Sequence, residues 1–115
     1  MALDSQLKAY AEQLAARGDP PRHTVSPQVA RAMRAADLAA DLAAGLVRPE
    51  PVSHVEDRTI DAPASPIALR IYTPRGVGPF AIVVYFHGGG WVLGNLASHD
   101  SHCRSIANGQ LERHD

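Results

Sequence analysis

The sequence predicts an α/β fold, and three features of its 115 residues support this prediction. Alanine-rich amphipathic segments fill residues 1–47, β-branched and aromatic residues are concentrated at 52–93, and an apolar run at 79–86 leads directly into three glycines. Helices that precede strands within one small chain are typical of helices that cover a sheet. We therefore expect a helical, cap-like segment over residues 1–47 and a sheet-forming core over residues 48–115.

The composition is that of one small globular domain, with 45% apolar residues, 20% charged residues and a net charge of -1. No basic field favours nucleic acid, and no apolar stretch reaches the roughly 18 residues of a membrane span. The single cysteine, Cys103, rules out an internal disulfide and favours a reducing compartment. The N-terminus lacks the apolar core of a signal peptide. We therefore expect a cytoplasmic chain without a nucleic-acid partner.

Two helices are expected in the first segment, because apolar residues recur there at steps of three and four. The first helix is expected at about 4–17 and stops before Gly18. For the second helix, Ser26 can act as the N-cap, Pro27 suits the first helical position, and Gly45 marks the end. Neither helix contains residues that point to catalysis.

The second segment is expected to form a short mixed sheet followed by one helix. A proline-bearing linker at 48–52 leads into two strands at 55–62 and 65–74, where apolar and polar residues alternate as in a half-buried sheet. The run at 79–86 is apolar throughout, as in a strand that is buried on both faces. Residues 98–109 are predicted to form a helix with Ser98 as its cap.

The stretch "YFHGGGWVLG" at 85–94 needs an explanation, because glycine loses more backbone freedom on folding than any other residue. Flexible glycine linkers are usually flanked by serine, proline or charge, whereas these glycines lie between Phe86 and Trp91. A P-loop needs a lysine after its last glycine, and Lys8 is the chain's one lysine. The spacing also fits no dinucleotide fingerprint, so we expect no cofactor. Adjacent amides free of side chains can instead bind a developing oxyanion.

The motif "FHGGGW" after an apolar strand, followed by "VLGNLASHDSHCRSIA", resembles the hormone-sensitive-lipase-like branch of the α/β-hydrolase esterases and lipases. The order of elements, with two N-terminal helices, a proline-bearing linker, a strand pair and an apolar strand, is similar to that family over residues 1–108. The resemblance implies the N-terminal part of an α/β-hydrolase fold. It also implies hydrolysis of carboxylic esters, with a small-molecule ester as substrate.

The resemblance assigns roles to the residues of the glycine motif. Gly89 and Gly90 would donate the amides of the oxyanion hole, and Gly88 would permit the turn. His87 would hold the loop through hydrogen bonds from its ring to nearby backbone, and Trp91 would pack against the far side of the loop. The N-terminal helices would cover the acyl pocket.

The 115 residues contain no G-x-S-x-G elbow, which this family uses for its nucleophilic serine, and no acid and histidine placed after such an elbow. We therefore assign no catalytic residue and expect no serine-dependent turnover from the chain alone. The closing "GQLERHD" at 109–115 does not resemble the family's next buried strand, so a truncated product with an open sheet edge is expected. The alternative hypothesis is a non-catalytic module that associates with a partner or with itself through this edge.

The polar cluster "SHDSHC" at 98–103 offers a further alternative. On a helix, Ser98 could meet His102 and His99 could meet Cys103, but no third orienting group is evident. We therefore interpret the cluster as the solvent-exposed polar face at the start of a helix, and we expect no metal. A zinc site here would need His99, His102 and Cys103 with His87 or His114, and its spacing lacks the usual second pair of ligands.

Overall fold

The computed structural model describes residues 2–109. The α-helices are α1 (Ser5–Ala16), α2 (Pro27–Ala43) and α3 (Asp100–Gly109), and a short 3-10 helix, Arg22–Thr24, separates the first two. The strands are β1 (His54–Ile60) and β2 (Ile67–Thr73). Among the described residues, no helix has both the length and the apolar character that crossing a membrane requires.

The two N-terminal helices begin and end where the sequence predicts. The Asp4 carboxylate accepts a hydrogen bond from the Gln6 amide at 2.9 Å and caps α1. The Ser26 hydroxyl accepts from the Val29 amide at 3.2 Å and caps α2, with Pro27 at its first position. Gly45 follows α2 with a φ of +71°, a left-handed conformation that glycine adopts without steric cost. Local capping therefore determines both helices.

One carboxylate joins the two N-terminal helices. Asp37 on α2 accepts a hydrogen bond from Arg17 at 2.7 Å and another from Arg22 in the 3-10 helix. Such exposed pairs contribute little to stability individually, but a shared acceptor fixes how the chain turns back between helices.

The predicted strand pair forms an antiparallel hairpin. His54 lies opposite Thr73 at the open end, and Ile60 lies opposite Ile67 beside the connection. The strands are slightly shorter than the predicted 55–62 and 65–74, because residues 61–66 form the turn.

The apolar run at 79–86 differs from its prediction. It belongs to neither a helix nor the sheet, which over residues 2–109 consists of β1 and β2 alone and is antiparallel rather than mixed. The run is not buried either: Ile82 is 91% exposed and Phe86 is 87% exposed. A strand that is apolar on both faces becomes buried only when neighbouring strands and helices flank it. No described residue supplies those neighbours.

The helix α3 begins at Asp100, two residues later than predicted, and Ser98 is not its N-cap. The Asn95 amide donates to the Ser98 hydroxyl at 2.9 Å, and the Ser98 amide donates to the Asn95 side-chain carbonyl at 2.8 Å. These reciprocal bonds are those of a capping box, with Asn95 as the capping residue of a turn that precedes the helix. The closing segment is predicted not to form the family's next buried strand. Its residues 110–115 lie outside the described residues.

The linker before the hairpin is bound to α3 by hydrogen bonds to Glu50. The Glu50 carboxylate accepts from the Ser105 hydroxyl at 3.1 Å and from the Asn108 amide group at 2.8 Å. Its backbone carbonyl accepts from Arg104 at 3.2 Å. These contacts span more than fifty residues of sequence and hold α3 beside the start of the hairpin.

Candidate active site

The glycine motif forms a tight loop between the apolar run and α3. The amides of Val92 and Leu93 both donate to the Gly89 carbonyl, at 3.2 and 2.9 Å. Within this turn Gly89 has a φ of +143° and Gly90 a φ of +60°. The backbone therefore reverses direction within five residues, and it does so in conformations that favour glycine.

Two glycines of this loop have no room for a side chain. A Cβ atom added to Gly89 would overlap the Leu93 carbonyl. A Cβ atom on Gly94 would lie 2.6 Å from the Gly88 carbonyl oxygen and 2.8 Å from His87 Nδ1. At Gly88, by contrast, an added Cβ atom would meet open space. Glycine is thus required by close backbone packing at Gly89 and by positive φ angles at Gly89 and Gly90. The predicted need for glycine at Gly88 to permit the turn is not found, because its φ is not positive and a side chain there would have room.

The amides of the three glycines are not consumed by sheet pairing. Among the described residues, no backbone carbonyl accepts a hydrogen bond from Gly88, Gly89 or Gly90. The loop lines an open cleft of about 470 Å³ together with Arg31 and His87. Successive amides in such conformations can form a concavity that binds an anionic oxygen.

His87 lies against the loop and against the following helix turn. Its Nδ1 atom is 2.9 Å from the Gly88 carbonyl oxygen, so a proton on Nδ1 would be donated to that oxygen. Its ring stacks on His99, with centroids 5.1 Å apart and an angle of 26° between the planes. The histidine therefore contacts both the glycine loop and the turn that leads into α3.

Trp91 does not pack against the loop as predicted. Its side chain is fully exposed, and no described residue covers it. Trp91 has a φ of +59°, a conformation that costs a non-glycine residue roughly 1–2 kcal/mol. The indole therefore projects away from the part of the chain that the structure describes, and only the backbone of Trp91 takes part in the turn.

In the polar cluster at 98–103, Ser98 does not make the hydrogen bond with His102 that helical spacing would allow. Ser98 Oγ lies 3.0 Å from Nδ1 of the adjacent His99, and among the described residues no hydrogen bond joins it to His102. Because this hydroxyl also accepts from the Asn95 amide, its role is to hold the turn. Burial, followed by the nearby Asp100 carboxylate, raises the pKa of the Cys103 thiol, which disfavours the reactive thiolate.

A metal centre is not formed by the residues that the structure describes. No three of their histidine, cysteine or acidic side chains come together in a way that could hold an ion. His114, one of the ligands considered above, lies outside the described residues.

The structure adds one residue that no sequence pattern indicated. Arg31, on α2, donates from Nε to the Val92 carbonyl at 2.8 Å. The two residues are 61 positions apart, and although Val92 belongs to the glycine stretch, Arg31 belongs to no motif. Only a knowledge of how α2 lies relative to the loop could have identified this contact.

Comparison with known proteins gives a consistent result. Residues 83–111 match a family model described as alpha/beta hydrolase fold. The carboxylic ester hydrolase LipN of Mycobacterium tuberculosis is 47% identical over 58 residues, which cover 49% of this chain and 15% of LipN. The ethyl acetate hydrolase of Pseudomonas putida is 32% identical over 115 residues, which cover 93% of this chain and 35% of that protein.

Solved esterase structures share the backbone arrangement. The hyperthermophilic esterase of the archaeon Pyrobaculum calidifontis matches with a TM-score of 0.78 and 35% identity, over 94% of this chain and 33% of that one. A thermostable esterase from Pseudomonas putida matches with a TM-score of 0.76 and 32% identity, over 93% of this chain and 32% of that one. This chain spans about a third or less of the length of these relatives.

Proposed function

Because the chain belongs to the esterases of the α/β-hydrolase fold, we propose that it supplies the oxyanion-binding part of a carboxylic ester hydrolase. In this proposal the amides of Gly89 and Gly90 donate to the oxyanion. The observation that carries the proposal is the closed turn at Gly89, whose carbonyl accepts from Val92 and Leu93. That turn leaves the glycine amides without a backbone acceptor among the described residues.

The chemistry is acyl transfer through a tetrahedral intermediate. A serine hydroxyl attacks the ester carbonyl, whose oxygen gains negative charge as the new bond forms. Amides that are already in place stabilise this charge without reorganising, and one such donor contributes about 3 kcal/mol in known hydrolases. None of the seven serines of this chain lies in a G-x-S-x-G elbow. We propose that the nucleophile comes from another segment and that residues 1–115 alone are inactive.

We propose that the chain is divided into a cap segment and a core segment. Residues 1–47 would act as a cap over the acyl group, and residues 48–115 would contribute to the core. Support comes from Asp37, which joins the two cap helices, and from Arg31, which reaches from α2 to the glycine loop. The substrate would enter the cleft lined by Arg31, His87 and the glycine loop.

The proposal is tested by completing the fold. Residues 1–109 are fused to the remaining two thirds of the Pseudomonas putida esterase, and hydrolysis of a chromogenic short-chain ester is measured. We expect turnover from the fusion, loss of turnover when Gly89 is replaced by valine, and no turnover from residues 1–115 alone. Turnover by the chain alone that is lost in Gly89→Val would contradict the need for a second segment. An active fusion that tolerates Gly89→Val would contradict the oxyanion role.

A second candidate function is a non-catalytic module that self-associates through the apolar run at 79–86. The observation that favours it is the exposure of Ile82 and Phe86, since large exposed apolar patches mark interaction surfaces. Light scattering on the purified chain distinguishes the two candidates. A defined dimer supports the module, whereas a heterogeneous aggregate supports an enzyme that needs its remaining segments.

A further inference from the structure

We propose that Arg31 is a positioning residue, which holds the glycine loop in its oxyanion-binding shape through the Val92 carbonyl. The inference rests on the proposed function and adds to it a residue from the cap. Arg31 Nε lies 2.8 Å from that carbonyl oxygen. A guanidinium donor makes this a charge-assisted bond, which is stronger than one between neutral groups.

The bond from Arg31 acts on the loop because one peptide group, between Val92 and Leu93, makes two hydrogen bonds. The Val92 carbonyl and the Leu93 amide belong to the same planar peptide group. The amide side of this group donates to Gly89 O at 2.9 Å and closes the turn, while the carbonyl side accepts from Arg31. Fixing the carbonyl therefore fixes the direction of the Leu93 amide. Polarisation of the carbonyl by the cation also strengthens the bond that the amide makes on the other side.

The loop depends on that orientation, because Gly89 packs directly against Leu93. The Leu93 carbonyl occupies the place that a side chain on Gly89 would need. If the peptide group between Val92 and Leu93 rotates, the turn loses its closing bond, and the amides of Gly89 and Gly90 lose their fixed direction. An oxyanion hole needs that direction to be set before reaction.

Arg31 is also available for this role. Arg17, Arg22, Arg58, Arg70 and Arg104 each pair with a carboxylate, whereas within residues 2–109 no carboxylate pairs with Arg31. Its bond to Val92 is the hydrogen bond that connects α2 with the glycine loop in the described part of the chain. Arg34 lies one turn further along α2 and makes no such bond, so it provides a matched control.

The test measures amide hydrogen exchange by NMR on the full chain. In Arg31→Ala we expect the Leu93 and Val92 amides to exchange roughly three- to tenfold faster than in the wild type, the effect of losing about one hydrogen bond. Arg31→Lys, which keeps the charge but loses the planar Nε donor, should show a smaller increase. In Arg34→Ala the Leu93 and Val92 amides should exchange at the wild-type rate. Equal rates in Arg31→Ala and wild type, an equal increase in Arg34→Ala, or a wild-type loop without protection would each overturn the proposal.

The same variants in the active fusion supply a second readout. Arg31→Ala should lower kcat by about ten- to hundredfold with little change in KM, since misplaced donors weaken binding of the transition state more than binding of the substrate. A rise in KM at unchanged kcat would show that Arg31 binds substrate and would overturn the positioning role. If the wild-type fusion hydrolyses no ester, the proposed function fails, while the exchange rates still decide whether Arg31 holds the loop.

Discussion

The hydroxyl of Tyr72 donates to the Asp100 carboxylate at 2.8 Å, and this bond joins β2 to the first residue of α3. Arg70 donates to the same carboxylate oxygen at 3.1 Å, and Arg104 donates to the other oxygen at 2.8 Å. Because α3 follows the glycine loop, this carboxylate attaches the end of the loop region to the hairpin. The contact links the core strands to the candidate site through one side chain.

We expect Tyr72 to titrate well above an ordinary tyrosine. Burial, together with the hydrogen bond to Asp100, raises the pKa of Tyr72 to about 12. Since the pKa is raised on folding, the stabilisation from this contact is fully present below the unfolded value of about 10. It is lost as the pH rises from there through about 12. Phenolate absorbance of the wild type minus that of Tyr72→Phe isolates this group, and a difference curve centred near 10 would contradict the prediction.

Asp100→Asn is expected to loosen the attachment of α3. Burial pushes the pKa of Asp100 upward, but hydrogen bonds from Arg104, Tyr72 and Arg70 outweigh burial, so the pKa lies below its ordinary value. The stabilisation is therefore present above the unfolded pKa of about 3.9 and is lost as the pH falls through the lower folded value. Loss of the charged acceptor should cost about 1–2 kcal/mol, measured by urea unfolding followed by circular dichroism.

Asp57→Asn is the matched control for that variant. Asp57 also pairs with Arg70, at 2.7 Å, but its side chain is largely exposed and it does not contact α3. We expect a smaller loss of stability than in Asp100→Asn. Equal losses in the two variants would show that the hairpin, rather than the link to α3, accounts for the effect.

Gly89→Ala is expected to open the glycine loop, whereas Gly88→Ala should leave its shape unchanged. The alanine side chain at Gly89 would overlap the Leu93 carbonyl, while at Gly88 it would meet no atom of the described residues within 4 Å. In NMR spectra, Gly89→Ala should shift the Val92 and Leu93 amides toward unstructured values and Gly88→Ala should not. Loop shifts that are the same in both variants would show that close packing at Gly89 is not required.

Ile82→Lys is expected to reduce self-association of the chain. Ile82 is 91% exposed within an apolar run that has no neighbouring strand among the described residues, and a lysine there should oppose edge pairing. Val77→Lys is the control, since Val77 is 96% exposed but lies in the turn before the run. Sedimentation velocity should show less association for Ile82→Lys than for Val77→Lys. Equal association of the two variants would show that the chains do not associate through the apolar run.

The candidate site was predictable only in part. The sequence predicts a site at glycines 88–90, because their spacing excludes phosphate loops and resembles an esterase motif. The full exposure of Trp91 was not predicted, and neither was the bond from Arg31 to Val92. Both depend on which elements surround the loop, and residues close in sequence carry no information about that arrangement.

The sequence by itself determined the elements whose signals are local. Ser26, Pro27 and Gly45 set the bounds of α2, because capping and left-handed backbone involve only adjacent residues. Tertiary structure alone decided that Tyr72 meets Asp100, that Arg31 meets Val92, and that no strand formed by residues 2–109 lies beside the apolar run at 79–86. Hydrogen bonds between distant residues require both partners to be placed within about 3 Å. That placement results from how whole helices and strands pack, which the pattern of any one segment does not specify.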